Sequence, residues 1–174
     1  MNESLKIRTA SLSDIPVMQS LEVDAARLYG TMAGYEFCTR LPPRSQAEHV
    51  HVQQNGIGLL VDHGDKVIGF LLAVPVDGRA HVLEAATEQG SQGKGFGRRL
   101  FDAFHQWAAE YGYSETTLTT YRDVPWNAPF YERLSYQVIA VDARRPELMT
   151  IQAEEASAGF DRAPRVAMER SLRR

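Results

Sequence analysis

One cysteine, Cys38, stands alone in 174 residues. An internal disulfide is therefore excluded, and the chain fits a reducing, cytoplasmic compartment. A lone thiol of this kind reads as a small buried hydrophobe, with a nucleophile as the rarer alternative. No run of the sequence approaches the roughly 20 apolar residues of a membrane span, and the opening Met1-Asn2-Glu3-Ser4-Leu5-Lys6 lacks the apolar core of a signal peptide. No membrane partner is expected. Charge of one sign is also scarce. Lys and Arg number 19 against 22 Asp and Glu, a net charge of −3, which argues against a general nucleic-acid binder. The five histidines, His49, His51, His63, His81 and His105, show no zinc-ligand spacing, so no metal is expected. Repeats, low-complexity segments and linkers are absent. One domain over residues 1–174 follows, large enough to bury about two-thirds of its unfolded surface without staples.

The patterning that is present alternates strands and helices. Leu5–Thr9 alternates apolar and polar residues as a half-buried strand does. Ser13 reads as the cap of a helix with Asp14 and Pro16 in its first turn, and with Ile15, Met18, Leu21, Ala25 and Leu28 as its inner face. Residues 30–43 read as a loop. Ser45 and Glu48 have capping-box spacing, and Gly56 stops that second helix. Residues 59–61 and Lys66–Val76 are β-rich around the turn His63-Gly64-Asp65, and Asp77-Gly78 turns the chain into a run over 80–87. Leu100, Phe101, Phe104, Trp107, Ala108 and Tyr111 recur at helical spacing, with His105 beside the polar face and solvated. Strands over 116–121, 136–141 and 166–169 and helices over 126–134 and 146–158 complete the order β-α-α-β-β-β-α-β-α-β-α-β. Early hairpins and later crossover helices predict an α/β fold with a mixed central sheet flanked by helices on both faces. The arginines at 162, 165, 170, 173 and 174 read as a solvated strand edge and tail, the alternative being a basic patch for an acidic partner.

Glu88-Gln-Gly-Ser-Gln-Gly-Lys-Gly-Phe-Gly97 lies between a predicted strand and a predicted helix. Glycines admit positive φ and let a ligand approach the backbone. Successive N–H groups in such a turn converge on an anion, and the following helix adds its free N–H groups and dipole. Lys94 and Arg98 add formal charge. The segment is built for phosphate, but two common phosphate motifs fail. Gly93-Lys94 is followed by Gly95, not Ser or Thr, and Glu88 stands where a P-loop needs its first glycine. Gly93, Gly95 and Gly97 do not space as a dinucleotide fingerprint, and they follow four strands instead of one.

The pattern Gln-x-x-Gly-x-Gly followed by Leu is met by Gln92, Gly95, Gly97 and Leu100. It resembles the pyrophosphate-binding segment of the GNAT (GCN5-related) N-acetyltransferases. Trp126-Asn-Ala-Pro-Phe-Tyr-Glu-Arg-Leu-Ser-Tyr136 resembles that family's Asn-x-x-x-x-Tyr-x-x-x-Gly-Phe element. Element order agrees along nearly the whole chain, and the likeness is specific at 82–100 and 124–136. There are two departures: Gln89-Gly90 stand where the family has a proline, and Ser135 replaces its glycine. Both concern local turn shape.

The resemblance implies an acetyl-CoA-dependent N-acetyltransferase acting on a primary amine of a small molecule or peptide, by direct attack in a ternary complex. Its alternative is a non-catalytic acyl-CoA-binding sensor or partner module. The family pattern assigns Glu84 as the base that takes the amine's proton, which requires burial or a relaying water at neutral pH. It assigns Tyr131 as the acid toward the departing thiolate. Ala85, Ala86 and Thr87 correspond to the strand along which the pantetheine arm pairs, the Ala85 N–H facing the thioester oxygen. Gln92, Gly93, Lys94, Gly95, Phe96, Gly97 and Arg98 correspond to the pyrophosphate turn, and Asn127 to a cofactor contact or a plain helix cap. Tyr35, Glu36 and Phe37 fall in the loop that walls the acceptor pocket in the family, where aromatics around a carboxylate suit a cationic amine, or else they anchor the loop. His81 and Trp126 are further acceptor-site candidates. A monomer or homodimer is expected.

Overall fold

The computed structural model describes residues 5–172. The N-terminal tetrapeptide and Arg173 and Arg174, read above from sequence, lie outside the described residues. The elements are β1 (Leu5–Thr9), α1 (Ile15–Ala26), α2 (Gln46–Asn55), β2 (Ile57–His63), β3 (Lys66–Val76), β4 (Arg79–Thr87), α3 (Phe96–Glu110), β5 (Glu115–Tyr121), α4 (Ala128–Glu132), β6 (Gln137–Ile139), α5 (Pro146–Ser157) and β7 (Arg165–Ser171). This is the order the patterning predicts. The strands form one mixed sheet, β1-β2-β3-β4-β5-β7-β6. β1–β2, β2–β3, β5–β7 and β6–β7 pair antiparallel, and β4–β5 pair parallel. The chain divides into two compact units, one running to Val74 and including Leu83–Trp107, the other comprising Pro75–Val82 and the chain from Ala108 onward.

In the first unit, Met18, Leu60, Phe70, Leu71, Leu100, Phe101 and Phe104 are fully buried. Burying side chains of this size stabilises the fold by about 1.5–3 kcal/mol each. The predicted inner face of α1 holds for Ile15, Met18 and Leu21, which are buried. Leu28 falls past the helix, in a 3₁₀ turn over Arg27–Thr31. Ser13 does not cap α1. A 3₁₀ turn, Leu12–Asp14, comes first, and the Ser11 N–H and hydroxyl both donate to Asp14 Oδ2 at 2.8 Å. Arg8 grips the same carboxylate through two nitrogens at 2.9 Å. Asp14 outcompetes Ser13 because a carboxylate accepts several donors at once. The loop predicted over 30–43 holds a second 3₁₀ turn, Glu36–Arg40.

The Ser45–Glu48 capping box forms as predicted. Gly56 ends α2 for a different reason from the usual left-handed cap: its φ is −144°. A side chain there would overlap the Ala73 carbonyl on β3. Gly56 is needed for close approach.

α3 shows the predicted stripe, with two corrections. His105 is buried, its ring 5.8 Å from Phe101 and 5.5 Å from Phe104. Tyr111 is 72% exposed, because the helix closes before it. Gly112 adopts φ 92°, and Gly112 N and Tyr113 N donate back to the Ala109 and Ala108 carbonyls. That reversal satisfies the terminal carbonyls and takes Tyr111 off the inner face.

In the second unit, Leu118, Tyr136, Leu148, Ala167 and Met168 are buried. The Asp77-Gly78 turn has φ 49° and 73°, the two positive values a tight hairpin demands. Asp77 also caps α5 across 70 residues of sequence, accepting from Glu147 N at 3.1 Å and Leu148 N at 3.0 Å. Glu147 accepts from Asp77 N in return. The strand predicted over 136–141 shortens to Gln137–Ile139. β7 is not a solvated edge, since it lies between β5 and β6. Arg165 bonds Glu155 at 2.9 Å and sits 4.8 Å over the Tyr121 ring, so it is a packed cation.

Ser135, at the family's glycine position, has φ 67°. The turn is fixed by Leu134 N and Tyr136 N donating to the one Tyr131 carbonyl. A side chain in that region is strained, so Ser135→Gly should stabilise the protein by about 0.5–1 kcal/mol, read as a higher urea midpoint. Asp77→Ala should cost about 1–2 kcal/mol by the same measurement. Asp77→Asn, which keeps a side-chain acceptor and tolerates positive φ, should recover most of that loss.

Candidate functional site

The first unit carries the glycine turn. A 3₁₀ turn, Gln89–Ser91, follows β4. Gly93 and Gly95 have φ 74° and 82°, with open space where a side chain would stand. Lys94, Arg98 and Arg99 are exposed around them. α3 begins at Phe96, and Arg99 N donates to the Gly95 carbonyl at 3.1 Å. The first amides of any α-helix lack partners within the helix. The turn therefore joins left-handed glycines, a 15-residue helix and two kinds of cation.

Its approach is pinned on several sides. Glu88 N donates to the Ile68 carbonyl at 2.9 Å. Gln89, standing where the family has proline, donates from its backbone to Asp24 Oδ2 at 3.0 Å and from its amide to the Asp24 carbonyl at 2.7 Å. Ser91 Oγ bonds Glu88 at 2.8 Å, and Lys66 pairs with the same carboxylate. Lys66 and then Ser91 draw the Glu88 carboxyl below its usual range. A proline locks a turn through its ring; here Asp24 of α1 locks it through hydrogen bonds.

Glu84 is half-buried on β4, and its Oε2 lies 3.7 Å from Arg44 Nε. Ala85 and Thr87 are also half-buried, and Ala86 is buried. The parallel register with β5 runs from Ala80↔Thr116 to Val82↔Leu118, while β4 continues to Thr87. Beyond the register, the Leu83 carbonyl accepts from Arg44 Nη2 at 2.7 Å.

Arg44 and Glu22 escaped the sequence reading. Both oxygens of Glu22 accept from Arg44 N at 3.1 Å, and Gln19 donates to the Arg44 carbonyl at 2.8 Å. Arg44 Nη1 meets Glu48 at 3.1 Å. Burial first, and then the Glu84 charge, push the Glu22 carboxyl up to about 8, against the pull of Arg44. Glu48 moves down: burial opposes it, but the Ser45 N–H and hydroxyl and Arg44 outweigh burial. One signal for Glu22 was present. It follows Ile15 and Met18 at helical spacing, so a carboxylate occupies an inner-face position of α1.

Tyr35 and Phe37 are buried, and Glu36 between them is exposed, accepting from Gly34 N at 2.9 Å. The two rings do not stand open around the carboxylate; they anchor the 3₁₀ turn. The second unit carries His81, Trp126, Asn127 and Tyr131. His81 is buried, with Nδ1 2.9 Å from Thr117 Oγ1. Asn127 is buried, and its carbonyl accepts from Phe130 N at 2.8 Å and Tyr131 N at 3.1 Å. Trp126 is half-buried. Tyr131 is half-buried, its ring 5.3 Å from Phe130 and 5.9 Å from Tyr136. Tyr136 accepts from Thr116 Oγ1 at 2.8 Å, and burial drives its phenol well above the ordinary range.

Among the described residues, no group of three or more His, Cys, Asp or Glu is placed to hold a metal ion, and no helix is long and apolar enough to cross a membrane.

The fold recurs in known proteins. A ribosomal-protein-S18-alanine N-acetyltransferase from Escherichia coli superposes with a TM-score of 0.71 at 14% identity, over 98% of this chain and 96% of that one. PaiA N-acetyltransferase from Thermoplasma acidophilum, solved in complex with coenzyme A, gives 0.71 at 17% identity, over 97% and 99%. N-acetylglutamate synthase from Neisseria gonorrhoeae, complexed with coenzyme A and N-acetyl-glutamate, gives 0.72 at 18% identity, over 100% of this chain and 36% of that one. The sequence profile of the acetyltransferase (GNAT) family matches residues 21–136. That span is more than half of the chain and takes in Glu22, Glu84, the glycine turn and Tyr131; the protein belongs to the GNAT family of acetyltransferases.

Proposed function

We propose that the protein transfers an acetyl group from acetyl-CoA to a primary amine of a small molecule or peptide, by direct attack within a ternary complex. The observation that carries this reading is the glycine turn. Gly93 and Gly95 hold positive φ with nothing packed where a side chain would be, directly before a long helix. A pyrophosphate fits such a turn, since backbone N–H groups, a helix N-terminus and the Lys94 and Arg98 charges all favour an anion there. Gln92, Phe96 and Gly97 complete the segment. Ala85, Ala86 and Thr87 lie beyond the β4–β5 register, which supports pairing of their backbone with an extended arm. Two of the structural relatives were solved with coenzyme A, which supports the same choice of cosubstrate.

The chemistry needs an amine that has lost its proton, a stabilised oxyanion and a thiolate that can leave. Glu84 takes the first role and the Ala85 N–H the second. Tyr131 takes the third, a role that rests on its position in the family pattern. Asn127 is carried over on the same ground. Its carbonyl closes the first turn of α4. Tyr35 and Phe37 act in this reading as supports for the acceptor loop, and Glu36 is its exposed charge; His81 and Trp126 are weaker acceptor-site candidates. The protein is read as a cytoplasmic monomer or homodimer that needs no metal.

Calorimetric titration with CoA and acetyl-CoA tests the cosubstrate. Wild type should bind both, and Gly95→Trp should weaken each by roughly 100-fold, about 2.7 kcal/mol; its thermal midpoint should fall by a few degrees, since a side chain at φ 82° is strained, so binding is compared well below that midpoint. A folded wild type that binds neither ligand overturns the reading. Thiol release with a panel of primary amines then separates an enzyme from an acyl-CoA-binding module. Tyr131→Phe should lower kcat by about 10²-fold or more with CoA affinity retained. An unchanged kcat would remove Tyr131 from the chemistry.

A further inference from the structure

α2 is a 10-residue helix on a thin apolar footing. A helix of that length is marginal on its own and lasts through the face it buries. Its buried residues are His49 and Val52, so an imidazole makes up much of the footing. His49 is 0% exposed, and neither Nδ1 nor Nε2 has a hydrogen-bond partner. Its ring lies 6.5 Å from that of Phe70 on β3. One helical turn on, Gln53 Nε2 is buried and unbonded too. The firmer holds stand at the two ends of the helix: the Ser45–Glu48 capping box before it, and the close approach of Gly56 to the Ala73 carbonyl after it.

A neutral imidazole tolerates an apolar seat with one idle donor and one idle acceptor. An imidazolium brings a second donor and a full charge to a place that offers neither nitrogen an acceptor. The charged groups that act on the ring are Arg44, just ahead of the helix, and Glu48 beside it. From β3 the ring meets Phe70, and Lys66 of that strand pairs with Glu88. α2 also packs on β2 and on the 3₁₀ turn Leu12–Asp14. Their carboxylates, Asp62 and Asp14, both pair with Arg8, and His63 at the end of β2 lies against Phe96. Glu22 of α1 accepts from Arg44 N. Burial first and Arg44 second hold the basicity of His49 below its ordinary value of 6.5, against the pull of Glu48.

We propose that His49 is a proton-operated latch: a proton on its ring drives α2 off β3 and opens the first unit at this helix while the sheet beneath stays formed. In the opened form the ring meets water and takes a proton with ordinary affinity; in the closed form it resists one. The closed form therefore keeps its full advantage above about pH 6.5 and loses it as pH falls below that value. α2 follows closely on Arg44, whose Nη2 bonds the Leu83 carbonyl, so each opening also loosens the strand that carries Glu84 and Ala85–Thr87. The latch acts on that strand whatever the strand binds.

Amide hydrogen exchange of the full chain, followed by NMR at pH 7.5 and 5.5, tests the latch. Each rate is divided by that of an unstructured chain at the same pH. In wild type, protection of the α2 amides should fall by about 10-fold between the two pH values, as for one proton linked to local opening, while β2 and β3 keep theirs. His49→Leu, which takes no proton, should abolish the fall. His51→Gln, which removes the exposed histidine of the same helix, should retain it. Protection of α2 that ignores pH, an equal fall in β2 and β3, or a fall that survives in His49→Leu overturns the proposal. Where His49→Leu fails to fold, the wild-type His49 Cε1–H resonance decides. Its titration midpoint should lie below 6.5, and a midpoint at or above 6.5 overturns the latch.

Discussion

Arg44 carries the constraint on which the first unit's candidate chemistry depends. β4 runs past its parallel register with β5, and a strand that outruns its partner must find other donors for its carbonyls. At Leu83 the donor is the Arg44 guanidinium. The same group lies beside Glu84 and Glu48, so satisfying the backbone of β4 and setting the charge around Glu84 are one arrangement. α1 is joined to it through Glu22 and Gln19. A side chain outside the family motifs thus links the helix, the capped start of α2 and the strand that carries the proposed base.

A second coupling lies at the other end of β4. The turn after Thr87 is held by Asp24 and Lys66, partners on α1 and β3. α1 therefore contacts both ends of the segment 84–89, through Glu22 by way of Arg44 and through Asp24 directly. Gln89 in place of proline is no loss of order; covalent rigidity is exchanged for two hydrogen bonds to one aspartate. Ser135 shows the opposite case. There a departure from the family glycine is tolerated at a left-handed position, held by two bonds to one carbonyl, at some cost in backbone strain.

Structural likeness at 14–18% identity speaks for the fold and leaves the acceptor open, because function resides in the side chains placed on it. In this chain those side chains are acidic at the strand and basic at the turn. That division suits a cationic amine at one place and a phosphate-bearing cosubstrate at the other.

The order of the strands and helices among the described residues was legible in the sequence because periodicity, caps and glycine turns are local properties. The glycine turn was legible for the same reason: positive φ at Gly93 and Gly95 needs no distant partner. Errors fell where tertiary contacts override local pattern. His105 sits on the polar side of the helical wheel yet is buried against Phe101 and Phe104. Tyr111 keeps the apolar spacing yet lies beyond the helix end. Arg165 belongs to a packed strand because β7 inserts between β5 and β6. Glu22 meets Arg44 across 22 residues, and Arg44 meets Glu84 another 40 residues on. By itself the sequence determined the order of the elements and the glycine turn before α3. Only the tertiary structure decided which charges face Glu84, because a carboxyl's basicity is set by neighbours that no local pattern brings together.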